Sequence, residues 1–221
     1  MCGRFALYEP SDKIKEHFGL DNVPDLPPNY NIAPGMIIFG ITYFENVLSP
    51  MLFKWGFIPH WSKDKKTGYK MINARIESAW EKPSFRGAIR HKRCLIPASG
   101  FYEWKKVDSG KQPYYITVAG SSIFAMAGIW ETWEDKSSGE IIDSCAILTT
   151  EAGGVVKDIH DRMPVIIDRE GYQEWLDPMI QTQDKISIKQ VRENNMDAWP
   201  VSSKVNNPRN NSPELTAALE E

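Results

Sequence analysis

The chain has 221 residues, 42% of them hydrophobic, 25% charged and 11% aromatic. This composition supports one sizeable buried core and excludes a disordered or fibrous protein. The longest uninterrupted apolar stretch, Ile123 to Trp130 with one glycine, falls far short of the roughly 20 residues a bilayer span requires. A net charge of −3 argues against coating nucleic acid through bulk charge.

Ser11 to Leu20 reads as a short helix, with Ser11 or Asp12 as N-cap and Ile14 and Phe18 on one face. Pro24 to Pro34 holds four prolines, each lacking a backbone donor, and is expected to be an extended loop. Seven segments rich in β-branched and aromatic residues read as strands: Met36 to Phe44, Met51 to Phe57, Arg93 to Pro97, Gln112 to Val118, Ile123 to Trp130, Ser144 to Thr149 and Pro164 to Ile167. Later helices are expected at Arg169 to Leu176, around Lys185 to Arg192, and from Ser212-Pro213-Glu214, where serine caps and proline takes the first turn. Many short strands with few helices predict an α+β protein with a mostly antiparallel, barrel-like sheet and peripheral helices. With no Ser/Gly/Pro-rich linker, residues 1–221 are expected to form a single domain.

The amino terminus, Met-Cys-Gly-Arg-Phe-Ala, lacks the pattern of a secretory signal, so a cytoplasmic protein is expected. Three cysteines, Cys2, Cys94 and Cys145, are too few and odd for a disulfide framework. Cys94 and Cys145 lie in apolar strand contexts and are expected to pack as small hydrophobes. Neither the cysteines nor the four histidines show ligand-like spacing, and no dinucleotide or phosphate-loop glycine pattern occurs, so no metal or cofactor is expected. Charge is unevenly spread. Lys54 to Arg93 carries eleven Lys and Arg against three acids, a surplus of eight, which either faces phosphates or forms a solvated surface.

Cys2 is the most informative residue. A small side chain after the initiator methionine usually permits its removal, which would place an amine and a thiol on one terminal residue. Their reference pKa values are about 7.7–8.0 and about 8.5, so both are partly active near neutrality. Such a 1,2-aminothiol attacks an aldehyde with its amine and then closes a thiazolidine ring with its thiol. An N-terminal cysteine can equally serve as an amidase nucleophile. Polar residues inside apolar segments add to the signal. Alternation would put Asn73, Arg75 and Glu77 on one face. Glu103, in Gly-Phe-Tyr-Glu-Trp, is either a general acid whose pKa an aromatic setting raises or a surface glutamate between aromatic neighbours. His160, in Asp-Ile-His-Asp-Arg-Met-Pro, is suited to passing protons, with Asp158, Asp161 or Arg162 to orient it.

These residues fall within a longer series: Met1 to Phe5, Tyr30-Asn31-Ile32-Ala33-Pro34-Gly35, Trp55 to Pro59, Ile72 to Glu77, Arg93 to Trp104, Ala127 to Glu131, Ile159 to Pro164, and Pro200-Val201-Ser202. In this order they resemble the SOS response-associated peptidase family, whose members crosslink to abasic sites in DNA. The resemblance implies that Cys2, freed of Met1, forms a thiazolidine with the ring-opened sugar of an abasic site. It implies acid/base work for Glu103, sugar opening or proton transfer for His160, and positioning by Asn73. It further implies phosphate contacts from Arg4, Arg75 and Arg162, and a base-separating or stacking edge from Pro34 and Trp61. The partners implied are single-stranded DNA containing abasic sites and single-strand/double-strand junctions, bound by a monomer. The chain departs from some relatives at Ser62, where they carry a second tryptophan, and at Gly153, where they carry asparagine. The alternatives are an N-terminal-nucleophile peptidase, an abasic-site lyase that cleaves by β-elimination, and a noncovalent single-strand binder.

Overall fold

A computed structural model describes residues 2–44, 47–186, 188, 190–191 and 193–219. The chain opens with β1 (Phe5–Leu7) and α1 (Ser11–Phe18), where Ile14 and Phe18 are buried and Gly19 ends the helix in the left-handed conformation at φ 66°. Neither Ser11 nor Asp12 caps α1; Pro10 occupies that position. The Ser11 hydroxyl instead donates to the Pro24 carbonyl at 3.0 Å and accepts from the Leu26 amide at 3.3 Å. It thereby ties down the proline-rich segment, which competes for the hydroxyl more effectively than the helix end. That segment is not all loop, since β2 (Asn29–Ile32) forms within it as an edge strand beside β1. Pro28 and Pro34 bracket β2, and an edge is where a sheet tolerates neighbouring prolines.

The strands β3 (Ile37–Phe44), β4 (Val47–Trp55), β5 (Asn73–Arg75), β6 (Arg93–Ala98), β7 (Gly100–Val107), β8 (Gly110–Val118), β9 (Phe124–Glu134) and β10 (Ile141–Glu151) follow. Between β5 and β6 lie α2 (Ile76–Ala79) and α3 (Arg86–His91). After β10 come α4 (Gly154–Lys157), β11 (Arg162–Pro164), β12 (Ile166–Ile167), α5 (Tyr172–Leu176) and β13 (Met196–Pro200). The pairings β4–β3, β3–β6, β6–β9 and β9–β10 are antiparallel, and a parallel β10–β4 contact closes the ring into a five-stranded barrel. β5 adds to β10 in parallel. A second sheet, ordered β13-β8-β7-β1-β2, is antiparallel throughout. This mixed α and β domain agrees with the barrel-like expectation. No helix among the described residues is long and apolar enough to cross a membrane.

The second sheet is apolar on both faces. Phe5, Phe101 and Ile116 join the main core with the barrel, while Ala6, Tyr102 and Tyr115 form a smaller core with Val201, Val205 and Leu215 of the C-terminal segment. Strand β7 was not legible as a strand because burial on both faces removes the alternation that marks one. Gly100 belongs here for want of space: a side-chain carbon would come within 2.3 Å of the Tyr115 ring. Cys94 and Cys145 are fully buried in the main core, as expected.

Part of the basic stretch is structural. Arg93, 5% exposed, donates to the Ile89 and Arg90 carbonyls behind it and to those of Trp175 and Asp177 at the end of α5. It satisfies carbonyls that two helix ends leave open. Burial lowers its pKa to about 10. Lys92 pairs with Glu131, and Lys65 with Glu140 at 2.7 Å. The expected helix around Lys185 to Arg192 is absent where described: Gln183–Lys185 is a single 3-10 turn and Gln190 bridges Ile167. Ser187, Lys189 and Arg192 lie outside the described residues. The last expected helix is a 3-10 turn, Pro213–Thr216, with proline in its first turn but no capping bond from Ser212.

Candidate active site at the amino terminus

Cys2 precedes β1 at the seam between the two sheets and is fully buried. Its thiol points toward the Arg4 carbonyl, 3.9 Å away. Its own carbonyl accepts a 2.7 Å hydrogen bond from Nδ2 of Asn73, the first residue of β5. Burial drives the thiol pKa well up, and the nearby Glu103 carboxyl adds to the effect. The thiol is therefore protonated near neutral pH.

Glu103 lies on the β7 face that carries Phe101, so it points toward the main core and is only 2% exposed. Of its two sequence readings, the buried acid is the observed one. Burial raises its pKa, and His160 draws it partly back. Nε2 of His160 stands 4.0 Å from Oε2 of Glu103. Nδ1 of His160 is 3.0 Å from the Arg162 amide and 2.9 Å from Oδ1 of Asp161. These two contacts require opposite states of Nδ1. The Arg162 amide cannot turn away, whereas the Asp161 side chain is 88% exposed and well solvated. The accepting state of Nδ1 is favoured, with the ring proton on Nε2 facing Glu103.

Oδ1 of Asn73 and Oγ1 of Thr149, beside this group, are buried with no hydrogen-bond partner among the described residues, as are Nε of Arg4 and Nε of Arg162. Parallel pairing of β5 with β10 sets Asn73 against Ile147 and Arg75 against Thr149, so the Asn73 and Thr149 atoms belong to one face of the sheet. Buried polar atoms are nearly always satisfied, so these open ones single out this face of the sheet. Thr149 was not singled out in the sequence, where a threonine late in an apolar strand is unremarkable.

The arginines divide by environment. Arg4 does not face solvent freely: Nη1 donates at 2.6 Å to Oδ1 of Asn31 and at 2.6 Å to the Val205 carbonyl. Asn31, 1% exposed, donates in turn to the Val205, Asn207 and Asn210 carbonyls. Arg162 makes a two-bond pair with Glu77, both at 2.9 Å, and donates to the Thr149 carbonyl at 2.7 Å. The expected shared face of Asn73, Arg75 and Glu77 holds only to Arg75. There β5 ends and α2 begins, which swings Glu77 toward Arg162. Arg75 is exposed, with no described carboxylate within 4.0 Å. Pro34 and Trp61 are also exposed, Trp61 by 57%. Among the described residues, no group of three or more His, Cys, Asp or Glu is placed to hold a metal ion.

Residues 1–208 match the family model described as SOS response associated peptidase. The chain is 44% identical to abasic site processing protein YoqW of Bacillus subtilis, over 97% of this chain and 98% of that one. It is 34% identical to abasic site processing protein HMCES of Xenopus tropicalis, over 87% of this chain and 66% of that one. A crystal structure of a Bacteroides thetaiotaomicron protein superposes with a TM-score of 0.88 at 28% identity, covering 99% of this chain and 100% of that one. A phage-related protein of Bordetella bronchiseptica gives 0.73 at 30%, covering 90% and 94%. With a buried second-position cysteine held by Asn73 beside Glu103 and His160, and a family match spanning most of its length, this chain belongs to the SOS response-associated peptidase family.

Proposed function

We propose that this protein processes abasic sites in single-stranded DNA by forming a covalent thiazolidine through Cys2 once Met1 has been removed. The observation that carries the reading is the convergence on Cys2 of Asn73, Glu103 and His160, drawn from β5, β7 and the turn before β11. A chain using cysteine only for packing has no need of a buried acid and an imidazole beside it.

The chemistry follows from the protonation states. Loss of Met1 exposes the Cys2 amine, which in its neutral form attacks the C1′ aldehyde of the ring-opened deoxyribose to give a carbinolamine. Glu103, kept partly protonated by burial, donates a proton to the departing hydroxyl, and water leaves as the iminium forms. The thiol, held neutral by burial, passes its proton to the Glu103 carboxylate as sulfur bonds to the same carbon. The iminium nitrogen ends as a ring amine, and the whole sequence releases one water. His160, its Nε2 toward Glu103, assists proton transfer and opening of the sugar. Asn73 holds the Cys2 carbonyl so that amine and thiol face the same carbon.

The test is intact-mass spectrometry after mixing the protein with a single-stranded oligonucleotide carrying one abasic site. The expected mass is protein without Met1 plus DNA minus one water, absent with undamaged DNA and with Cys2→Ala. Cys2→Ala and Cys2→Ser both retain the terminal amine and lack the thiol, so each should give an imine seen only after borohydride reduction, together with strand scission. A full adduct from Cys2→Ala would remove Cys2 from the chemistry. Mature protein that binds DNA without adduct or scission would replace this reading with noncovalent binding.

A further inference from the structure

We propose that Tyr69 is a base-stacking platform for a nucleotide flanking the lesion, with Lys54, Lys66 and Lys70 holding the adjoining phosphates. This rests on the DNA-binding reading above. Tyr69 is 67% exposed, more than any other described aromatic residue. A ring in this position contributes little to the core and stands available to a partner.

The segment that presents the ring is built to hold it. Tyr69 lies in a 3-10 turn, Lys65–Lys70, pressed backbone to backbone against the end of β4. A side-chain carbon on Gly68 would come within 2.5 Å of the Gly56 carbonyl oxygen, and one on Gly56 within 2.7 Å of the Gly68 oxygen. Gly56 also has φ 138°, so two glycines are needed for this contact. The turn is closed by Asp64 Oδ1 accepting from the Lys66 amide at 2.8 Å and by the Phe57 amide donating to the Met71 carbonyl at 3.0 Å. A 2.9 Å hydrogen bond between the Ser62 and Thr67 hydroxyls joins the residue after Trp61 to the same turn. Trp61 and Tyr69 thus project from one ordered segment.

The surroundings favour a nucleic acid strand. Lys54 Nζ lies 5.9 Å from the centre of the Tyr69 ring. A side-chain carbon on Gly35 would lie 3.8 Å from the ring, which sets Tyr69 next to the exposed Pro34. Lys54, Lys66 and Lys70 have no described carboxylate within 4.0 Å, whereas Lys65 is taken up by Glu140. An exposed ring among unpaired cations is the combination that binds single strands irrespective of sequence. Tyr69 and Asn73 are four positions apart, at most about 14 Å when extended. The platform therefore serves nucleotides next to the lesion. Ile37 and Leu52, 64% and 50% exposed, give the same region some apolar surface, so a protein partner is the competing occupant.

The experiment uses the full chain as wild type, Tyr69→Ala and Tyr69→Phe. Each is titrated into single-stranded oligonucleotides containing a non-reactive tetrahydrofuran abasic analogue, with 2-aminopurine moved through the flanking positions. Wild type and Tyr69→Phe should change the fluorescence at one flanking position, and Tyr69→Ala should lose that change and bind about tenfold more weakly. Thermal melting checks that each variant is folded, and crosslinking of wild type to reactive abasic DNA reads the underlying activity separately. Equal affinity and equal fluorescence profiles for wild type and Tyr69→Ala would overturn the platform and leave the ring as a protein-docking surface. That result with wild-type crosslinking intact removes Tyr69 alone. Absence of both binding and crosslinking in wild type removes the DNA reading and this proposal together.

Discussion

The Asn73 carboxamide donates to the carbonyl oxygen of Cys2 at 2.7 Å, joining residues 71 positions apart in sequence. The bond immobilises the backbone of Cys2, while Oδ1 of the same carboxamide is buried with no partner among the described residues. One side chain thus fixes the Cys2 backbone and keeps an acceptor open beside it.

Removing that donor should slow the chemistry more than it harms the fold. Asn73→Ala is expected to reduce single-turnover crosslinking at saturating DNA by about tenfold to a hundredfold, through loss of one hydrogen bond and of alignment. Asn73→Asp should be no better, because a carboxylate cannot donate to the Cys2 carbonyl. Rates equal to wild type in both variants would remove the positioning role.

Glu103 gives a pH dependence of definite sign. Burial raises its folded-state pKa, so as pH rises above the ordinary glutamate range the unfolded chain loses its proton first. Folding stability therefore falls with pH from that range up to the raised pKa and is level beyond it. Glu103→Gln, which cannot ionise, should abolish this slope in thermal melts taken across pH and melt no lower than wild type at neutrality. The same substitution should slow crosslinking by about 10²–10⁴-fold. A Glu103→Gln variant that melts with the wild-type pH profile would contradict the buried-acid assignment.

Arg162 binds Glu77 through two bonds, so a DNA phosphate must compete with a carboxylate for it. Because Glu77 is 48% exposed, the pair contributes at most about 1 kcal/mol to stability. Glu77→Gln should leave the melting temperature nearly unchanged but tighten DNA binding at low salt. Arg162→Ala should weaken binding and lower the salt dependence by about one counterion. Unaltered DNA affinity in both would assign the pair a purely structural task.

Asn31 predicts a different outcome, loss of stability. It is buried and bonded to Arg4 and to three carbonyls of the C-terminal segment. Asn31→Ala leaves those groups unpaired and is expected to cost about 2–3 kcal/mol. Limited proteolysis should then cut within residues 201–219, where wild type resists. A resistant, equally stable variant would show that the segment is held by its apolar contacts alone.

The residues of the proposed chemistry were legible in the sequence because candidacy depends on residue identity: a cysteine at position two, an acid among aromatics at Glu103, an imidazole at His160. So were the barrel strands β3, β4, β6, β9 and β10, whose β-branched and aromatic runs are bounded by turns. The tertiary structure decided what long-range packing controls. It made Glu103 a buried acid, since burial depends on which sheet covers β7. It turned Ser11 from a cap into a tie for the proline segment, because the competing carbonyl comes from Pro24. It gave Arg93 to the helix ends, Lys92 to Glu131 and Lys65 to Glu140, and so divided a basic stretch that charge counting treats as one surface, and outside that stretch it gave Arg162 to Glu77 and Arg4 to Asn31. Local sequence records which groups a chain can use, but their protonation and pairing depend on solvent exclusion and on neighbours that only the folded chain brings within a few ångströms.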